Sequence, residues 1–233
     1  RQIARAMLRD LPGPLALRSF IIRKRQQREY LRRDGVTAQT APRVEALYGE
    51  VLDVLDPVLA SRPFLFGARP CEADFGLFGP MFRHFSSDPT PAGILRERAP
   101  HVLAWTARLW ATTPADLAEA ADLSEAPADL DPLLRLVGRD HLPELAAQAA
   151  AVDQGQSQAG FVIQGASWTL PASPYRAGCL AALQRRFSLL SPSDQAGVAA
   201  RIGPGAEILA AAPLDPPARG QGRPPTDRHG VGR

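Results

Sequence analysis

Two cysteines, Cys71 and Cys179, are all that the 233 residues contain. They give neither the density of a disulfide scaffold nor the spacing of a metal-ligand set, and they fit a reducing compartment. Lysine is almost missing: Lys24 stands alone among 27 basic residues, and an Arg-, Ala- and Pro-rich chain of this kind carries the imprint of a GC-rich coding sequence as well as of function. No apolar run reaches the roughly 18 residues of a membrane-spanning helix, and the opening RQIARAMLRDLPGP lacks the apolar centre and cleavage site of a secretory signal. The four histidines, His84, His101, His141 and His229, have no ligand-like spacing, so no metal is expected. These absences argue against a membrane partner and point to a cytoplasmic location.

What is present is unevenly spread. The net charge of +3 hides a basic opening: residues 1 to 33 hold ten basic side chains against only Asp10 and Glu29. A solvated helix face explains this stretch better than phosphate recognition, because two aromatics and no nucleic-acid module accompany it. Nucleic acid is therefore not an expected partner. From Thr112 to Asp131 the composition turns acidic and alanine-rich, and beyond Pro213 it offers nothing to bury. The organisation that follows is a helical domain over residues 1–115, an acidic linker over 116–131, a mostly helical extension over 132–211 and a disordered tail over 212–233. The chain also opens on arginine, directly in a helix-like stretch, so a preceding segment is expected.

Periodicity gives the elements. Leu17, Phe20, Ile21, Tyr30 and Leu31 form the apolar side of a first helical stretch, beyond a Pro12-Gly13-Pro14 break and ended by Asp34-Gly35. Val44, Leu47, Tyr48, Val51, Leu52, Leu55, Val58 and Leu59 recur at helical spacing, with Pro57 predicting either a kink or a restart capped by Asp56. Phe75 to Phe85 is apolar on nearly every side and reads as a wholly buried central helix, which Gly76 and Gly79 let its neighbours approach and Pro80 bends. Ser86 to Pro91 is turn chemistry. Pro100 opens a helix with Val102, Trp105, Leu109 and Trp110 along one side, both indoles in a groove between helices. In the extension, one helix stops at Gly138 and another starts near Pro143. Phe161 to Ile163 and Trp168 form a short extended segment, and Ser173-Pro174 starts a helix through Leu190 carrying Tyr175, Cys179, Leu180, Leu183 and Phe187.

In order along the chain stand a long amphipathic helix, F-L-F-G, P-C-E-A-D-F, an apolar helix, D-P-T-P and P-H-V-L-A-W-T-A-R-L. This ordered set resembles the C-terminal domain of glutathione S-transferases, over residues 40 to 112 closely and over residues 1 to 33 loosely; residues 130 to 205 resemble, more weakly, the helices some members append. In that family a Ser or Thr, two residues and an Asp open the buried helix as a capping box. The hydroxyl accepts a first-turn N–H, and the carboxylate reaches back to the cap N–H. Asp74 matches the aspartate, and Pro70 and Phe75 the accompanying hydrophobic staple. Cys71 departs from the pattern, and its weakly accepting thiol costs the forward half of the box about 1 kcal/mol relative to serine. A capping role accounts for Cys71 without a nucleophilic one, and Cys179 reads as core.

The resemblance implies an all-α bundle and a division of labour. Glutathione, the co-substrate, is bound and activated in this family by an N-terminal thioredoxin-like domain, which these residues do not contain. The present chain would then supply no catalytic residue and no cofactor ligand. It would contribute homodimer contacts and a wall of the pocket for a small electrophilic substrate, with Phe20, Arg23 and Tyr30 as the candidates on the first helical stretch. The competing reading keeps the same fold as a non-catalytic interaction module, translation-factor-like or metaxin-like.

Overall fold

The long apolar periodicity folds as one uninterrupted helix. In the computed structural model, which describes residues 13–118, 120 and 126–213, α1 spans Leu15–Arg25 and widens into a π turn over Gln26–Leu31, and α2 spans Ala41–Ser61. Pro57 does not restart α2. Its missing N–H removes one helical bond, but Leu55, Val58 and Leu59 around it are buried in the core, and each such side chain contributes about 1.5–3 kcal/mol. Asp56 caps a different helix. Its Oδ1 accepts from the N–H groups of His101 (2.8 Å) and Val102 (3.3 Å) at the start of α5, Pro100–Ala111.

Between them lie α3, Glu72–Pro80, continued by a π turn over Met81–Phe85, and α4, Pro89–Arg98. The stretch read as a turn is thus half helix: Asp88 is extended and Pro89 occupies the first helical position, where a proline loses no bond. The core of this part joins Leu52, Leu55, Val58 and Leu59 of α2 to Leu95 of α4 and to Val102, Trp105 and Leu109 of α5, with Phe64, Leu65 and Met81 filling in. Trp105 is wholly buried while Trp110 is 68% exposed. At 100° per residue, positions 105 and 110 sit about 140° apart, so the two indoles cannot share a groove.

The α3 expectation needs the largest correction. Its start is buried, but Phe75 is 60% exposed, and Gly76, Gly79 and Pro80 also face solvent. The helix packs on the core through Leu77, Phe78, Met81 and Phe85, and Phe82 stacks on Trp110. Nothing lies within 4 Å of a Cβ built on Gly76 or Gly79, so no close neighbour requires either glycine. Phe75, at that exposure, also does little to close a staple with Pro70.

The second half begins inside the first core: Leu130, in a short 3₁₀ turn over Ala128–Leu130, belongs to it. Helix α6, Asp131–Leu136, passes through a π turn at Val137–His141 into α7, Leu142–Asp153. Gly138 therefore does not stop a helix. It is the point where the loop after α9 crosses, since a Cβ there would sit 2.5 Å from the Pro204 carbonyl oxygen and 2.6 Å from that of Ile202. Strands β1, Gln158–Ile163, and β2, Ala166–Pro171, pair antiparallel with Phe161 opposite Trp168. Helices α8, Pro174–Ser188, α9, Pro192–Ile202, and α10, Ala206–Ala210, complete the extension. Helix α8 buries Leu180, Ala181, Gln184 and Phe187. Tyr175 and Leu183 are exposed and Cys179 is half-buried. Gln184 belongs on the inner side because its Nε2 donates to the Ile208 carbonyl at 2.8 Å. The described residues thus form a predominantly helical bundle with a helical extension and one hairpin. The tail beyond Pro213 and residues 1–12 lie outside them, as do residues 119 and 121–125 of the acidic segment read as a linker.

The halves are joined by arginines. Arg62 forks onto both carboxylate oxygens of Asp129 at 2.6 and 2.9 Å, and Arg139 links Glu50 of α2 (2.8 Å) to Asp140 (2.6 Å). Gly35, at φ +73°, lets the loop before α2 pass directly under Trp168, Thr169 and Leu170 of the hairpin.

Candidate functional site

The residues singled out by the sequence fall into two places. Phe20 and Arg23 lie on α1 and Tyr30 on the π turn that follows, and all three are exposed, Phe20 by 58%. The Lys24 ammonium stands 5.4 Å from the Phe20 ring centroid and the Arg25 guanidinium 5.7 Å from that of Tyr30, while Arg25 Nη2 donates to the Tyr30 hydroxyl at 3.2 Å. Cations thus cover the ring faces of an otherwise apolar strip that includes Leu17 and Ile21, both exposed. Of the large apolar residues of α1, Ile22 turns inward.

Cys71 and Asp74 lie at the start of α3, and Asp74 is 0% exposed. Its Oδ2 accepts the Cys71 N–H at 3.0 Å and stands 3.3 Å from the Cys71 thiol. The Cys71 side chain in turn faces the N–H of Asp74, so both halves of the capping box are in place. Its Oδ1 takes two further donors, the Leu65 N–H at 3.1 Å and the Trp105 indole N–H at 2.9 Å. One carboxylate thus ties the loop before α3, the start of α3 and the middle of α5. A buried carboxylate is tolerable only with such a set of donors. Burial pushes the Cys71 thiol above its ordinary pKa, the opposite of what an activated nucleophile requires.

A third place was not legible in the sequence. A cleft of about 310 Å³ opens between α2, the π turn before α7, the hairpin and α8. Its apolar walls are Val44 and Leu47 of α2 and Phe161, Ile163, Trp168 and Leu170 of the hairpin. Polar groups close it from below: Asp140 accepts from Arg139 (2.6 Å) and from Gln164 Nε2 (3.0 Å), and Glu144 is ion-paired with Arg176. His141 lies beside Glu144, Nδ1 to Oε2 3.6 Å. Desolvation against the wall, then Arg176, hold its pKa below the ordinary imidazole value, although half of the side chain remains exposed. The signal that existed, Phe161 to Ile163 and Trp168, marked a short extended segment but neither the hairpin it forms nor the surface it meets. Phe20, Arg23 and Tyr30 are not among the residues lining this cleft.

Among the described residues no group of three or more His, Cys, Asp and Glu side chains could hold a metal ion, and no helix is long and apolar enough to cross a membrane.

The capping box expected at Cys71 and Asp74 is thus present, and Asp74 ties it to Trp105 on α5. The family model of the glutathione S-transferase C-terminal domain matches residues 16–112, and that segment of the chain is such a domain. No curated protein and no solved structure matches the chain.

Proposed function

We propose that residues 16–112 serve as the electrophile-binding half of a glutathione transferase-like protein of the cytoplasm. Glutathione would be held and activated by a thioredoxin-like domain outside this chain, and the helical domain would also supply homodimer contacts. The observation that carries this reading is the α1 strip in a domain of this family: Leu17, Phe20, Ile21 and Tyr30 remain exposed beside Arg23. Apolar side chains of that size favour a hydrophobic ligand, since each stabilises binding by the area it removes from water. No side chain of the Cys71–Asp74 pair takes part, because both act in closing α3.

The test is glutathione-dependent conjugation of a hydrophobic aryl halide by the intact protein. Phe20→Ala is expected to raise KM for the halide and leave KM for glutathione unchanged; an intact protein without affinity for glutathione sinks the reading. The alternative, a non-catalytic interaction module, is favoured by one feature: the Trp110 ring, stacked on Phe82 at 4.6 Å, is left on the surface. It predicts a stable protein complex and no glutathione binding.

A further inference from the structure

The cleft between α2 and the hairpin is built from both halves of the chain, and the domain family does not account for it, since four of its apolar wall residues lie beyond the matched segment. Its volume falls at the lower end of the range for small-molecule sites, about 300–1,000 Å³. What it can hold follows from one cation at its mouth and from the carboxylates further in.

The cation is Arg43. It is exposed, lines the cleft and stands one turn before Leu47 on the same side of α2. Among the described residues its guanidinium meets a single partner, the neutral Gln164 Oε1, at 3.4 Å from Nη1. Gln164 is itself fixed. Its Nε2 donates to Asp140 Oδ2 at 3.0 Å, and only the nitrogen end of the amide can do so, which turns the carbonyl end to Arg43. The same residue occupies the left-handed region at φ +49°, which a non-glycine residue adopts at a cost. Arg43 is thus positioned at the hairpin tip without being neutralised, and most of its five donors stay open.

The carboxylates set the limit. Both oxygens of Asp140 are taken by Arg139, which also serves Glu50, so that cluster holds two carboxylates against one cation. Glu144 is ion-paired with Arg176. Asp34 is exposed, but it adjoins Gly35, which lies under Trp168, Thr169 and Leu170 and away from the tip. Beyond Arg43 an anionic group would therefore meet like charges. An apolar group meets Val44 and Leu47 on one side and, on the other, Phe161 and Ile163, which alternation places together on β1. It is stabilised there by the area it removes from water.

We propose that this cleft binds a small monocarboxylic acid with an apolar body. The carboxylate takes the Arg43 fork, whose planar donors match its two oxygens, and the body lies between α2 and β1. The site is independent of the α1 strip and of any glutathione chemistry.

The experiment is equilibrium dialysis of the protein against three compounds: 4-phenylbutyrate, its uncharged amide, and the diacid with a second carboxylate on the far end of the ring. One-to-one binding of 4-phenylbutyrate is expected. It should exceed that of the amide about 3- to 10-fold, as suits one charge-assisted contact at an exposed site, and the preference should shrink as salt rises. The diacid should bind more weakly than the monoacid. Arg43→Gln removes the preference by weakening the acid alone, whereas Arg96→Gln, at an exposed arginine of α4 outside the lining, leaves it unchanged. Val44→Trp fills the cleft and weakens acid and amide alike; if that variant fails to fold, the Arg43 comparison decides, since the side chain it alters lies on the surface. No binding of the acid, an amide or diacid bound as tightly, or a preference that survives Arg43→Gln overturns the proposal.

Discussion

The Trp105 indole N–H donates to Asp74 Oδ1 at 2.9 Å, and both side chains are completely buried. This bond joins two helices at the point where neither group can reach water. Trp105→Phe should therefore leave the carboxylate one donor short and cost about 1–3 kcal/mol. Asp74→Ala strips partners from the Leu65 and Cys71 N–H groups as well, and should cost more, about 3 kcal/mol or above. In a urea double-mutant cycle the two losses should fall short of additivity by about 1 kcal/mol. Strict additivity would mean that the bond contributes nothing in solution.

Cys71→Ser should stabilise the fold by about 0.5–1 kcal/mol, because a hydroxyl accepts the first-turn N–H better than a thiol does. Burial raises the thiol pKa, so the rate of Cys71 alkylation should climb with pH along a curve displaced above that of an ordinary thiol, about 8.5. A mass-spectrometric pH–rate profile with a midpoint below that value would contradict the capping assignment.

Glycines at three helical positions should respond in opposite directions. Gly138→Ala drives a methyl into the backbone carbonyls of Ile202 and Pro204, which cannot rotate aside, and should cost about 1–3 kcal/mol. Gly76→Ala and Gly79→Ala meet open space and should each stabilise by about 0.5–1 kcal/mol through helix propensity. Thermal melts of the three variants check this. A destabilised Gly76→Ala would indicate that the outer side of α3 is covered in solution.

The Arg62–Asp129 fork should make part of the junction between the halves acid-labile. Hydrogen bonding from Arg62 lowers the Asp129 pKa, so its contribution is present above the unfolded carboxylate value, about 4, and is lost as pH falls through the lower folded value. Asp129 is 45% exposed, which limits the effect to about 0.5–1 kcal/mol. Urea denaturation should show Asp129→Asn less stable than the parent at pH 7 and indistinguishable from it near pH 2. A difference that persists in acid would assign the effect to packing.

Local pattern was readable where a signal repeats within a few residues. The α2 periodicity places Leu52, Leu55, Val58 and Leu59 in the core, and the spacing of Cys71 and Asp74 marks the start of α3. The same pattern misled where apolar character was equated with burial. Phe75 to Phe85 carries no polar stripe, yet α3 covers only one side of itself.

By itself, then, the sequence determined where α2 and α5 lie, how α3 begins and which family residues 16–112 belong to, because capping and amphipathic spacing act between residues one turn apart. Tertiary structure alone decided that Asp56 caps α5, that Trp105 reaches Asp74 across 31 positions and that Gln164 meets Arg43 across 121. Contacts of that span leave no periodic trace in the chain; they exist only once packed surfaces bring the groups within bonding distance, and the cleft beneath the hairpin is of this second kind.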